Sequence, residues 1–141
     1  MEPIVVWHRL MGLRSARVQP GQHMREGFAA LGTLLREGVS VVLAVDGPAG
    51  PARRVKAGCV ELAQLAAVPI IPVGYASRPS LQCTWRWDRS LFVLPFDEIQ
   101  VCYGAPIRVE TLDDPSAILK QIGTALDELE CQAQSLLAPL P

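Results

Sequence analysis

Val42-Leu43-Ala44-Val45-Asp46-Gly47-Pro48-Ala49-Gly50-Pro51-Ala52-Arg53-Arg54-Val55-Lys56 is the stretch on which the fold turns. Its apolar start belongs to a longer run, Val39 to Val45, that is nearly continuous Val, Leu and Ala. Such a run predicts a strand buried on both faces, as in a parallel sheet. Gly47 and Gly50 allow close backbone approach after it, and Pro48 and Pro51 stiffen the turn. Asp46 presents one carboxylate where the strand ends, and in open α/β sheets ligands bind beyond the carboxyl ends of strands. Arg53, Arg54 and Lys56 follow, and they suit a phosphate or another anion, helped by the N-terminus of the next helix. The alternative is a solvated turn leading into a basic helix start, since such turns are common punctuation. Spacing alone does not choose between the two.

Outward from the turn, Ala57 to Ala67 reads as a helix with Val60, Leu62, Ala63, Leu65 and Ala66 on its apolar side. Pro69 to Tyr75 follows as a strand whose prolines suit strand ends or an edge. Upstream, Met24, Phe28, Leu31, Leu34 and Leu35 recur at helical spacing between His23 and Glu37, with Gly38 as a natural C-cap. Glu2 to Met11 suggests a short helix, with Ser15 to Gln22 a polar connector. Downstream, Arg78 to Pro95 is irregular and aromatic, and Ile99 to Tyr103 is a third strand. Gly104-Ala105-Pro106 turns the chain, and Ile107 to Val109 extends the edge. Asp113 or Asp114 caps a last helix with Pro115 in its first turn, which runs to about Leu137 with Ile118, Ile122, Leu126 and Leu129 inward. Strands alternating with helices predict an α/β domain with a mainly parallel or mixed sheet flanked by helices. No internal boundary is visible, so residues 1–141 read as a single domain.

Composition limits the function classes. The chain has 141 residues, half of them hydrophobic and 19% charged, which argues for a folded domain with a core. A formal net charge of −1 argues against nucleic-acid binding by bulk charge, while Arg53, Arg54, Lys56, Arg78, Arg86 and Arg89 in the middle of the chain leave room for a local basic surface. Cys59, Cys83, Cys102 and Cys131 are far apart, a spacing that predicts no metal site and four reduced, mostly buried thiols. No apolar run reaches the ~18 residues of a membrane span, so any membrane contact is peripheral.

The turn also carries a resemblance. Asp46-Gly47-Pro48-Ala49-Gly50-Pro51 with Arg54 and Lys56, then Ala57-Gly58, then Val68-Pro69-Ile70-Ile71-Pro72-Val73, resembles the bacterial lysophospholipid acyltransferase superfamily. Its lauroyl/myristoyl, lipid A acyltransferase-like branch is the nearer likeness. Trp87-Asp88-Arg89 with Leu94-Pro95-Phe96, and Tyr103-Gly104-Ala105-Pro106-Ile107, are similar to later segments of that branch and fall in the same order. The resemblance spans Val42 to Val109, roughly half the chain. It implies a glycerolipid acyltransferase-like fold and transfer of a fatty acyl group to a lysophospholipid or lipid A-type acceptor. It further implies acyl-CoA or acyl carrier protein as donor, no cofactor, and a cytoplasmic protein peripheral at the inner face of the cytoplasmic membrane. The family's turn binds the acceptor's polar or phosphate group. Carried over, that makes Asp46, Gly47, Pro48 and Arg54 substrate-binding residues, with Arg17 a looser match.

The family's general base is a histidine followed five positions later by an aspartate that orients the imidazole. This chain holds only His8 and His23; Leu13 stands five residues after the first and Phe28 five after the second. No catalytic residue is assigned, and His23 is only a remote candidate. The sequence therefore reads as a C-terminal portion of the family domain, either truncated or eroded, with little or no acyl transfer expected from it alone; a non-catalytic headgroup- or partner-binding module and an unrelated phosphate-binding domain are the rivals. Asp88 reads as an ion-paired loop residue, the acidic side of the last helix as a solvated face, and Trp85, Trp87 and Phe92 as loop packing or an interfacial contact.

Overall fold

The computed structural model describes residues 12–13, 23–47, 50–78, 81–82, 91–110 and 114–137. The chain falls into two compact units, Met1–Val42 and Leu43–Pro141.

In the first unit, helix α1 spans His23–Arg36, as its periodicity predicts. Leu31 is buried, with Phe28, Leu34 and Leu35 half-buried around it. The helix stops in a Schellman motif: Val39 N–H donates to Leu34 O at 2.9 Å and Gly38 N–H to Leu35 O at 3.1 Å. The expected helix Glu2–Met11 and connector Ser15–Gln22 lie outside the described residues, apart from Gly12 and Leu13 between them.

The second unit is built on an antiparallel hairpin. Helix α2 (Gly58–Ala66) leads into strand β1 (Val73–Arg78). Two short strands, β2 (Leu81–Gln82) and β3 (Leu91–Phe92), pair with each other. Strand β4 (Glu98–Tyr103) then returns against β1, with Val73 opposite Tyr103 and Arg78 opposite Glu98. Beyond this ladder Ile70 and Ile107 exchange both backbone bonds, at 2.9 and 2.8 Å. Three steps separate Ile70 from Val73 while four separate Tyr103 from Ile107, so Gly104-Ala105-Pro106 holds a one-residue bulge. Helix α3 (Pro115–Leu137) lies across one face of the hairpin. Its start is capped as its sequence predicts, Ser116 N–H donating to Asp114 Oδ1 at 2.9 Å.

The inward positions alternate along the strands, as a pleated ribbon requires. Ala76 and Cys102 face Leu129, Ala133 and Leu137 of α3. A second cluster joins Val60 of α2 to Ile107, Ile118 and Ile122, with Val55, Ile70 and Leu126 packed against it. Gly74 is where strand and helix meet most closely. A Cβ there would stand 2.5 Å from the Leu129 carbonyl carbon, a space only glycine leaves open. On the opposite face Val73, Tyr75, Ile99, Val101 and Tyr103 are exposed.

This architecture corrects the expected α/β fold. Every strand pairing among the described residues is antiparallel, and the sheets are two-stranded; no parallel or mixed sheet flanked by helices forms. Val39–Val45 is not a strand: it joins no ladder among the described residues, and Val42 is 96% exposed. An apolar run makes a doubly buried strand only where neighbours supply both edges and both faces, which its composition cannot reveal. The strand expected at Pro69–Tyr75 lies further on, at Val73–Arg78. Pro69 and Pro72 have no N–H for a ladder, and the pairing before Val73 shrinks to Ile70 and the Pro72 carbonyl, which accepts from Gly104 N–H at 2.9 Å.

Candidate functional site

The Asp46–Lys56 turn lies within the second unit. Gly47 N–H donates to Ala44 O at 3.2 Å, and Lys56 N–H closes the far side on Val45 O at 2.9 Å. Arg54 N–H donates to Pro51 O at 3.4 Å, and the Gly50–Pro51 peptide is cis. Gly47 has φ +68, and a Cβ on it would come within 3.3 Å of Lys56 Nζ. The lysine side chain thus folds over the glycine, and a larger residue there would meet both strain and crowding. Asp46 is half-buried, and its carboxylate has no hydrogen bond or ion pair among the described residues. The turn therefore gathers one carboxylate, unpaired among the described residues, and one ammonium around backbone bent by a glycine.

The three cations of the turn have different surroundings. Arg54 is exposed and Lys56 lies by Gly47. Arg53 goes to α3, where Nη1 donates to Asp127 Oδ1 at 3.0 Å and Nη2 to Glu130 Oε2. Arg53 also holds φ +64, uncommon for a side chain of this size. Val55 follows it onto the same helix; the space over Gly123 ends 3.7 Å away at Val55 Cγ2. The acidic side of α3 is thus partly engaged, where its sequence suggested only a solvated face. The signal was present in the sequence: Asp127 and Glu130 stand three apart, on one side of a helix. Nothing local linked them to Arg53, more than seventy positions away.

Helix α2 starts without a side-chain cap, since Ala57 offers none. Cys59 Sγ donates to the Lys56 carbonyl at 3.3 Å, and burial pushes its thiol above the usual range, against the backbone hydrogen bonds that pull it down. Cys59, Cys102 and Cys131 are free thiols; Cys59 is half-buried, Cys102 buried and Cys131 exposed, so the expectation of mostly buried thiols fails at Cys131. Among the described residues no three His, Cys, Asp or Glu gather to hold a metal ion. No helix there is long and apolar enough to cross a membrane.

Of the residues singled out from sequence, Asp46, Gly47, Arg54 and Lys56 share the turn. Pro48, Arg17, His8, Cys83, Trp85, Trp87, Asp88 and Arg89 lie outside the described residues. Phe92 belongs to β3. His23 opens α1 in the first unit.

The chain is 25% identical over 105 residues to a protein of Rickettsia prowazekii (strain Madrid E) named only as the uncharacterised protein RP090. The match covers 72% of this chain and 48% of that protein, so the chain spans about half the length of the curated relative it matches. No family model matches the chain. No solved structure matches it.

Proposed function

We propose that the Asp46–Lys56 turn binds the phosphate-bearing headgroup of a lysophospholipid or lipid A-type acceptor. In this reading the chain carries the acceptor-binding part of an acyltransferase site and acts peripherally at the inner face of the cytoplasmic membrane. The reading rests on the ordered sequence segments from Val42 to Val109, and the hairpin architecture adds nothing to it. One observation carries it: the half-buried Asp46 beside Gly47, unpaired among the described residues, with the Lys56 ammonium folded over that glycine. A carboxylate accepts hydrogen bonds from acceptor hydroxyls, while Lys56 and the exposed Arg54 face the phosphate charge. Acyl-CoA or acyl carrier protein is the donor in this scheme, and no residue of this chain is assigned as general base.

The test is binding of lysophosphatidate carried in phosphatidylcholine vesicles. Losing one hydrogen bond to a charged group costs about 1.5–3 kcal/mol. Asp46→Ala should therefore weaken binding by about ten-fold or more. Equal affinity of the variant and the parent would leave the segment a turn without a ligand.

A further inference from the structure

From its contacts with α3, we infer that Arg53 is a positioning residue which locks the anion-binding turn onto that helix, and is not itself a ligand for the anion. The inference rests on the headgroup-binding reading of the turn. Arg53 stands next to Arg54 in sequence, so composition alone assigns them one task. Their surroundings differ. The Arg53 guanidinium spans Asp127 and Glu130, one helical turn apart on α3, with one nitrogen on each carboxylate. Val55, two residues on, packs into the cluster around Ile122 and meets the space over Gly123. The other two cations are left for the turn: Arg54 exposed, Lys56 against Gly47.

The backbone supports the same division. Arg53 adopts φ +64 in place of a relaxed conformation, and strained residues persist only where their surroundings hold them. Here the two ion pairs and the Val55 packing are what hold it. The two carboxylates more than offset the Arg53 charge, so Arg54 and Lys56 supply the positive charge at the turn. A turn fixed in advance loses less freedom when it takes up a ligand, which strengthens binding without any added contact. The ion pairs are largely exposed, so the lock is modest and loosens as salt screens it.

The experiment compares Arg53→Ala, the double variant Asp127→Asn with Glu130→Gln, and the triple variant, all in the full chain. Hydrogen exchange is followed at the Lys56 and Gly47 amides, which close the turn, with the Cys102 amide as a reference in the core hairpin. Two exposed ion pairs predict about five-fold faster exchange at the turn amides in each variant and no change at Cys102. Binding of lysophosphatidate in phosphatidylcholine vesicles should weaken by about the same factor in all three, because removing either side of one lock abolishes it. Arg53→Lys should recover part of the loss, reaching one carboxylate. If Arg53 were a ligand, neutralising the two acids would leave binding intact or tighten it, and the inference would fall. Unchanged exchange at Lys56 in Arg53→Ala would also overturn it. If the parent chain does not bind the lipid, the headgroup reading falls, while the exchange arm still decides whether the lock exists.

Discussion

Asp46, Arg53 and Arg54 lie within nine positions of one another, and contacts rather than identity separate their roles. Asp46 has no ion pair among the described residues, Arg54 is exposed, and Arg53 is held by α3. The presence of a charged turn was legible in the sequence, because glycine, proline and cations in that order have few other uses. The partner of Arg53 was not, because Asp127 and Glu130 come near only through the packing of α3 on the hairpin. Cysteine reactivity gives a separate check at this scale. Burial raises the Cys59 thiol and keeps it protonated near neutral pH, and Cys102 is buried, whereas Cys131 is open to solvent. Iodoacetamide on the native protein at neutral pH should modify Cys131 well before Cys59 or Cys102, as peptide mass mapping would detect. Cys59 labelling as fast as Cys131 would contradict the packing of α2.

Helix limits were the most legible elements. His23–Arg36, Gly58–Ala66 and Pro115–Leu137 each begin or end close to the residues that caps and periodicity indicate. Strand limits were less so, since prolines and pairing partners override apolar composition. Two substitutions test the elements as described. Helix α2 ends on Ala67 at φ 54, with Val68 N–H on Ala63 O at 3.1 Å and Ala67 N–H on Gln64 O at 3.2 Å. Alanine pays a steric cost in that left-handed position which glycine avoids, so Ala67→Gly should stabilise the protein by about 0.5–1 kcal/mol in urea unfolding. A loss of stability would mean the helix ends otherwise. Gly74→Ala is the opposite case. Its methyl group would overlap the α3 backbone at Leu129 and Glu130, and backbone cannot swing aside as a side chain can. A loss of about 3 kcal/mol or more is expected by the same measurement. A neutral Gly74→Ala would place α3 further from β1.

At the scale of the whole molecule, sheet topology was the part that the sequence concealed. Val39–Val45 has the composition of a central parallel strand, yet Val42 is exposed and the sheets are antiparallel pairs. Composition reports what a segment would bury given neighbours; it does not say which neighbours exist. Asp46, Gly47, Arg54 and Lys56 lie close together in sequence, so they share the turn whatever the sheet topology. The chemistry follows a similar logic. With His8 and His23 both lacking an aspartate five residues on, residues 1–141 are expected to show no acyl transfer above background with acyl-CoA or acyl carrier protein as donor. Turnover that persisted after both histidines were replaced would require a different base. Headgroup binding by the turn stands apart from turnover, and it is the central claim. Backbone amide chemical shifts recorded during titration with lysophosphatidate micelles test it most directly. The largest changes are predicted at Val45–Gly47 and Arg54–Lys56, with none of that size along Val73–Ser77 or Ile99–Tyr103. Changes centred on the hairpin's exposed face, with the turn silent, would contradict it.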